Sequence, residues 1–108
     1  MFEKNRYFAV PTVPRNVKAR SINSTAIQIS WMEPEFPNGV IVYHLFYRQQ
    51  GEEDMKLAFA GSEKQFVVTG LKLIIAYEFK VEAYNIRLGK SGPNQTIVAR
   101  TSSAGNIK

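Results

Sequence analysis

The stretch of sequence that decides the fold reads Tyr77-Glu78-Phe79-Lys80-Val81-Glu82-Ala83-Tyr84-Asn85. From Tyr77 to Ala83 every second residue is apolar or aromatic, and the residues between them are charged. Successive side chains of a β-strand point to opposite faces, so this alternation places one set against a core and the other in solvent. The stretch therefore predicts a half-buried β-strand.

Similar alternation recurs in shorter runs on both sides of this stretch, and residues typical of turns separate the runs. Seven strands are predicted in all: Arg15–Ser21, Thr25–Trp31, Val40–Arg48, Met55–Ala60, Gln65–Thr69, Tyr77–Asn85 and Thr96–Thr101. The glycines and proline between Asn85 and Thr96 predict a loop at 85–95. Because no helix of ordinary length is apparent, the pattern favours an all-β sandwich or barrel.

The length of 108 residues is that of one domain. Pro11 and Pro14 precede the first predicted strand, and Ser102-Ser103-Ala104-Gly105 follows the last. We therefore expect an N-terminal linker at 1–13, a single domain at 14–101 and a C-terminal linker at 102–108.

The composition argues against most enzymes. The chain has no cysteine, which excludes disulfides, zinc–thiolate sites, iron–sulfur clusters and a cysteine nucleophile. It has one histidine, His44, so a histidine-rich metal site is excluded by count. A Ser-His-Asp triad would need both His44 and the single aspartate, Asp54, which are ten positions apart. We expect no catalytic residues, no cofactor and no metal.

The net charge of +5 is compatible with acidic partners but specifies none. A solvated strand face is the favoured explanation for four basic residues on the first and last strands, and a sulfated-glycan site is the alternative: Arg15, Lys18, Arg20 and Arg100. No aromatic residues are interleaved with them, so we expect no nucleic-acid binding. The longest apolar runs, Val40–Tyr43 and Leu73–Tyr77, are too short to cross a bilayer, so we expect no direct membrane insertion.

Five segments in this order and spacing resemble the fibronectin type III family over 14–101. They are Pro14-Arg15-Asn16-Val17, Ile27-Gln28-Ile29-Ser30-Trp31, the run from Pro34 through Asn38-Gly39 to Tyr43–Arg48, Gly70-Leu71 with Tyr77–Asn85, and the Gly89 and Gly92 region. The resemblance implies a seven-stranded, immunoglobulin-like antiparallel β-sandwich. It also implies a non-catalytic module whose partners are proteins and neighbouring domains of the same chain.

Three residues are predicted to have structural roles. Trp31 ends the second predicted strand and the chain has no cysteine, whereas an antibody-type domain places its tryptophan on the third strand against a disulfide. Tyr77 follows Leu71 by six positions, at the start of the sixth strand. This position predicts a tyrosine corner, in which the hydroxyl binds upstream backbone near Leu71–Leu73.

The corner before the sixth strand departs from the family pattern. The family usually has proline at position 73 and threonine at 75, whereas this chain has Leu73 and Ile75. The resulting apolar corner should share a pole of the sandwich with the C-terminus and the loops at 22–24 and 49–54. Leu73, Ile74 and Ile75 are therefore candidates for contact with a following domain, and local packing is the alternative.

The remaining candidates for partner binding lie on two other surfaces. At the pole that carries the N-terminus, the loops at 32–39 and 85–95 supply Phe36, Ile86, Arg87, Leu88 and Lys90. Alternation turns Phe46 outward on the third strand and Tyr84 outward on the sixth. These strands are neighbours in the family, so the resemblance implies that the two residues could share a patch. The Arg-Gly-Asp triplet that some family members carry in the last loop is absent, so no ligand of that class carries over.

Two N-glycosylation sequons occur, Asn23-Ser24-Thr25 and Asn94-Gln95-Thr96, and both fall in predicted loops. They favour an extracellular or cell-surface location. The leading hypothesis is a protein-interaction and spacer module, one unit of a tandem array in the extracellular region of a receptor or cell-adhesion protein. The alternatives are an intracellular structural module of a cytoskeletal or muscle protein, or an accessory domain attached to an enzyme. Since no signal peptide is apparent, an extracellular chain would be a piece of a larger protein.

Overall fold

The computed structural model describes residues 9–102, and the remainder of both predicted linkers lies outside these residues. Seven strands form two antiparallel sheets: β1 Arg15–Asn23, β2 Ala26–Met32, β3 Ile41–Gln49, β4 Lys56–Gly61, β5 Gln65–Val68, β6 Ala76–Asn85 and β7 Lys90–Arg100. One sheet has the order β1-β2-β5 and the other β4-β3-β6-β7. The predicted all-β sandwich is confirmed.

The core lies between the inward faces of the two sheets. The alternation in β6 is realised without interruption, because Tyr77, Phe79, Val81 and Ala83 are buried and the residues between them are half-buried. Trp31 on β2 packs against aromatic rings of the opposite sheet, with its ring centroid 5.6 Å from that of Tyr43 and 6.3 Å from that of Phe59. Burial of such large rings provides most of the stabilisation.

Six strands begin and end within two residues of their predicted bounds, but the seventh does not. β7 starts at Lys90 and not at Thr96, so most of the predicted loop at 85–95 is strand. Gly92 and Pro93 predicted a loop because each weakens a regular strand. In the structure they lie opposite Ala83, where the register shifts on an edge strand. A bulge at a sheet edge tolerates a proline that cannot donate a hydrogen bond.

The packed chain also begins earlier than residue 14. Pro11 is fully buried, and a Cβ atom on Gly92 would collide with its carbonyl oxygen. The backbone amide of Thr12 donates to the Phe36 carbonyl at 3.0 Å, and the Phe36 amide donates to the Thr12 hydroxyl at 2.9 Å. The segment 9–13, predicted as linker, therefore packs against the domain.

The connections gather at two poles, as predicted. At the N-terminal pole, residues 9–14 meet the segments 33–40 and 86–89, and the Ile86 amide donates to the Val40 carbonyl at 3.1 Å. At the C-terminal pole, the Leu71 amide donates to the Thr25 carbonyl at 2.9 Å. The Ser102 amide donates to the Ser21 hydroxyl at 2.6 Å, which ties the chain exit to this pole.

Candidate functional site

A buried asparagine organises the N-terminal pole. Asn85, the last residue of β6, is fully buried. Its Nδ2 donates to the carbonyl oxygens of Asn38 at 3.1 Å and Ala9 at 3.4 Å, and its Oδ1 accepts from the Leu88 amide at 2.9 Å. One side chain thus fixes three segments. A buried polar group whose hydrogen bonds are all made favours one conformation of the loops that it contacts. This role is not predictable from the sequence, because a strand-terminal asparagine gives no signal of burial.

The segments that Asn85 holds together, which we call the Asn85 clamp, expose apolar side chains to solvent. Phe36 is 55% exposed, Ile86 is 51% exposed, and Val40, whose carbonyl accepts from the Ile86 amide, is 73% exposed. Arg87 and Lys90 are exposed at the same pole, whereas Leu88 is half-buried. We call Phe36, Val40 and Ile86 the apolar pole. Val40 was missed because the alternation assigned it to the third strand, which in the structure begins at Ile41.

The outer face of β3 and β6 carries alternating aromatic and charged pairs. In register order these pairs are Val42–Tyr84, His44–Glu82, Phe46–Lys80 and Arg48–Glu78. The His44 Nδ1 lies 3.1 Å from Glu82 Oε2, and the Arg48 guanidinium donates to Glu78 Oε1 at 2.9 Å. Lys80 Nζ lies 4.8 Å from the centre of the Phe46 ring, a cation–π distance.

Phe46 and Tyr84 lie on one face, but His44 stands between them. The His44 ring centroid is 5.1 Å from that of Tyr84 and 6.1 Å from that of Phe46. These three rings form a continuous aromatic strip along β3 and the end of β6. Each member is half-buried by its neighbours. Phe46 and Tyr84 were predicted on this face, whereas His44 was not predicted as the residue that joins them.

At the C-terminal pole, Tyr77 forms the corner that the sequence predicts. Its hydroxyl accepts a hydrogen bond from the Lys72 backbone amide at 2.8 Å, and both Tyr77 and Leu71 are buried. This bond holds the turn between β5 and β6 against the core.

The same turn exposes its apolar residues. Leu73 is 39% exposed, Ile74 is 60% exposed and Ile75 is 37% exposed, so packing within the described domain leaves a substantial part of each uncovered. Ile74 has a φ of 73°, a left-handed conformation that β-branched residues rarely adopt. Two residues near the chain exit hold it there: the Thr101 hydroxyl accepts from the Ile74 amide at 3.2 Å, and the Arg100 guanidinium donates to the Ile74 carbonyl at 2.9 Å.

The four basic residues considered for an anion site do not converge. Arg15 donates to the Glu33 carbonyl at the N-terminal pole, and Arg100 donates to Ile74 at the opposite pole. Arg20 donates to Gln28 Oε1 at 2.9 Å. Lys18 is exposed on β1, in the other sheet from Arg100.

Two ionisable groups near the N-terminal pole have shifted pKa values. A hydrogen bond from its own backbone amide and the Lys64 ammonium, 3.1 Å away, hold the pKa of Glu33 below its ordinary value. Burial and the Glu33 charge raise the pKa of the Tyr43 hydroxyl. Glu33 is solvent-exposed, so its ion pair contributes little to stability.

The two sequon asparagines lie in different settings. Asn23 ends β1 at a tight turn, where its Oδ1 accepts from the Thr25 amide at 2.9 Å. Asn94 is exposed within β7, opposite Glu82. Its predicted location in a loop is therefore wrong, for the same reason that the start of β7 was misplaced.

Within residues 9–102, no helix is long and apolar enough to span a bilayer. The same residues contain no cluster of three or more histidine, aspartate or glutamate side chains arranged to hold a metal ion.

The family model for the fibronectin type III domain matches residues 12–100. The chain belongs to the fibronectin type III family. It is similar to rat neogenin, at 33% identity over 101 residues that cover 87% of this chain and 7% of neogenin. It is also similar to the human phosphatidylinositol phosphatase PTPRQ, at 28% identity over 95 residues that cover 86% of this chain and 4% of that protein. Rat ephrin type-A receptor 5 matches at 33% identity over 76 residues, 69% of this chain and 8% of the receptor. The chain thus spans a small fraction of these curated relatives.

Solved structures give the same family fold. The FN5 domain of Drosophila Lar superposes with a TM-score of 0.71 at 28% identity, covering 87% of this chain and 99% of that domain. Domains d3–d4 of the rat CD45 extracellular region superpose with a TM-score of 0.75 at 25% identity, covering 86% of this chain and 51% of that one. Domains A168–A170 of titin share the fold, with a TM-score of 0.71 at 23% identity, 87% of this chain and 33% of that one. A fibronectin type III domain is generally a non-catalytic module, and homologous modules occur in receptors.

Proposed function

We propose that this fibronectin type III domain is one unit of a tandem array in the extracellular region of a receptor or cell-adhesion protein. There it binds protein partners and spaces its neighbours. The observation that carries the proposal is the division of the molecule into two poles. The chain enters beside Phe36 at one pole and leaves beside Ser21 at the other, so neighbouring domains would join end to end.

Relatives support the extracellular part of the proposal. Ephrin type-A receptor 5 is a receptor by name, and the matching CD45 domains belong to an extracellular region. The likeness to titin, at 23% identity, concerns the fold alone. Two sequons in the chain are consistent with passage through the secretory pathway.

The apolar pole is the surface we assign to a protein partner. Exposed aromatic and aliphatic side chains held in one place lose little conformational entropy on binding, which favours them as interface anchors. Phe36 and Ile86 meet this condition, because Asn85 fixes the two segments that carry them. The exposed Arg87 and Lys90 provide a cationic rim, and the half-buried Leu88 supports the turn. The partner surface would therefore be apolar with acidic groups around it.

The apolar turn at the C-terminal pole is the surface we assign to the following domain. Leu73, Ile74 and Ile75 are partly exposed. The Ile74 amide donates to the Thr101 hydroxyl and the Arg100 guanidinium donates to the Ile74 carbonyl, which ties the turn to the strand that leads out of the domain. A domain attached to that strand would reach them first. Burial of these side chains would then limit bending between the two domains.

The experiment that tests the location is surface labelling of the natural parent protein on intact cells with a membrane-impermeant amine reagent. Mass spectrometry would follow the peptides that contain the exposed Lys18, Lys72 and Lys90. We expect all three lysines to react on intact cells, while lysines of a cytosolic marker stay unmodified. Reaction only after permeabilisation would contradict the proposal and favour the intracellular structural module.

A further inference from the structure

The Asn94 sequon lies on the outer face of the four-stranded sheet. Asn94 pairs with Glu82 and Thr96 pairs with Lys80 across the β6–β7 ladder. Paired residues of an antiparallel ladder share a face, so Asn94 and Thr96 project to the same side as Glu82 and Lys80. Both sequon residues are exposed. The Asn94 amide, to which a glycan is attached, and the Thr96 hydroxyl, which defines the sequon, thus lie on the same edge of this face.

The aromatic strip lies next to this edge. Tyr84 is two residues from Glu82 on β6 and pairs with Ser91, so it lies diagonally from Asn94 across the bulge at Gly92 and Pro93. Diagonal neighbours in a regular ladder are about 7–8 Å apart. His44 pairs with Glu82 from the far side and therefore lies two strand spacings, about 10 Å, from Asn94. This span matches the length of one or two sugar rings that start from Asn94.

We propose that Asn94 is N-glycosylated and that the first sugars of this glycan lie over Tyr84 and His44. The proposal rests on the extracellular function proposed above. A covalently attached sugar has a high effective concentration at the strip, so it would occupy this surface before any free partner. The apolar face of N-acetylglucosamine would pack on the Tyr84 ring.

A polar group beside the aromatic strip is also suited to bind the first sugar. The Glu82 carboxylate lies between Asn94 and His44, and its Oε2 accepts from the Ser91 hydroxyl at 2.8 Å and faces His44 Nδ1 at 3.1 Å. Among residues 9–102, no hydrogen bond to its Oε1 is found. An acetamido N–H of the first sugar is a donor that this carboxylate oxygen could accept.

The modification is a group transfer without oxidation. Nδ2 of Asn94 forms a bond to C1 of the first N-acetylglucosamine, and the bond between C1 and the pyrophosphate of a polyprenyl-linked oligosaccharide breaks. The pyrophosphate leaves with the bonding electron pair, and Nδ2 releases one proton to solvent. The polyprenyl-linked lipid of the secretory-pathway membrane is the donor, and the transferase of that membrane requires the Thr96 hydroxyl of the sequon.

Asn23 provides an internal comparison. It pairs with Ala26 at the β1–β2 turn, where neither strand places an aromatic side chain next to it. A glycan at Asn23 would project into solvent and would not contact the aromatic strip. A comparison of the two sites therefore separates the effect of attaching any glycan from the effect of a glycan that packs on the aromatic strip.

The test uses the full 108-residue chain secreted from mammalian cells behind a heterologous signal peptide, with Asn23→Gln so that Asn94 is the only acceptor. His44 is the single histidine, so its ring signals in an NMR spectrum need no sorting among several histidines. We expect nuclear Overhauser effects between the first sugar and the His44 and Tyr84 rings. We also expect the glycan to raise the Tm by about 4 °C, the order of shift that one aromatic contact gives in a domain of this size.

Three variants separate packing of the glycan from its attachment. Tyr84→Ser should remove at least half of the Tm increase that the glycan provides, whereas Val98→Ser, an exposed residue of β7, should leave the increase unchanged. Thr96→Val should abolish attachment while Asn94 stays in place. A fully occupied Asn94 without Overhauser effects to either ring would overturn the inference. So would an Asn94 that stays bare while Asn23 of the unmodified sequence is occupied.

Failure of this inference is distinguishable from failure of the proposed function. Forced secretion tests the packing wherever the natural protein resides. Natural protein with a glycan on Asn23 and none on Asn94 contradicts the inference and supports the extracellular location. Natural protein bare at both sites and unlabelled on intact cells contradicts the extracellular location, and the secreted chain still decides whether the sugar packs on the strip.

Discussion

The Asn85 side chain lies across the N-terminal pole with its Nδ2 3.1 Å from the Asn38 carbonyl oxygen, and it is fully buried there. Asn38 itself has a φ of 61°, a conformation that asparagine tolerates better than most residues. The two asparagines therefore act together: one adopts the turn, and the other fixes it.

Replacement of Asn85 by alanine should destabilise the domain. The change leaves the Asn38 carbonyl and the Leu88 amide without their partner, at about 1–3 kcal/mol for each unsatisfied buried group. We expect the free energy of unfolding to fall by about 3 kcal/mol, measured by urea denaturation and the fluorescence of Trp31, the only tryptophan. The same substitution at the exposed Asn94 should change it by less than about 0.5 kcal/mol. Equal effects at the two sites would refute the clamp.

Removal of the Tyr77 hydroxyl should have a smaller effect at the other pole. Tyr77→Phe keeps the buried ring and leaves the Lys72 amide without the acceptor that lies 2.8 Å away. We expect a loss of about 1–2 kcal/mol in the free energy of unfolding. The control is Tyr47→Phe, since Tyr47 is half-buried on the same sheet. A loss at Tyr47 as large as that at Tyr77 would argue against the corner.

Relief of backbone strain at Ile74 should stabilise the isolated domain. Ile74 has a φ of 73°, and the left-handed region costs an ordinary residue about 1–2 kcal/mol. Ile74→Asn keeps the backbone bonds to Thr101 and Arg100 while it supplies a residue that accepts this conformation. We expect a gain of about 1 kcal/mol in thermal or urea unfolding. Leu73→Asn, at a neighbouring position without positive φ, should bring no gain, and an equal gain there would contradict the strain argument.

Substitution of Leu73 should loosen the junction with a following domain. We expect Leu73→Ser to widen the distribution of interdomain angles in a two-domain fragment of the natural parent protein, measured by small-angle X-ray scattering. The physical reason is loss of the apolar contact proposed for this pole. The matched control is Leu57→Ser, at an exposed leucine on β4. If flexibility between the domains is the same in wild type and Leu73→Ser, the proposed contact does not exist.

Loss of the apolar pole should weaken partner binding. The chain on fluorescent beads would bind intact cells from the tissue that expresses the parent protein, and flow cytometry would measure the binding. Because anchor residues typically contribute more than 1 kcal/mol each, we expect Phe36→Ser with Ile86→Ser to reduce apparent affinity at least about tenfold. Val98→Ser removes a similarly exposed side chain from β7 and should leave binding unchanged. An equal loss in both variants would assign the partner surface elsewhere.

Two strands show which patterns in the sequence are sufficient to predict where a strand begins and ends. β6 was predictable almost to the residue, because uninterrupted alternation reports burial on one face directly. The N-terminal half of β7 was not, because Gly92 and Pro93 are turn residues by local preference and become strand residues only where a bulge on an edge strand accommodates them. The packing of Pro11 against the domain was not predictable for a related reason: Gly92, which it contacts, is distant in the sequence.

The all-β sandwich, the core around Trp31 and the corner at Tyr77 were predictable from the sequence, since each depends on local periodicity or on a motif of closely spaced residues. Contacts in the folded molecule were needed to show which surface residues act together. Cross-strand register placed His44 between Phe46 and Tyr84, set Asn94 beside Glu82, and brought Asn85 against Asn38. Such relationships depend on contacts between residues far apart in the chain, and strand periodicity carries no information about which strand lies opposite another.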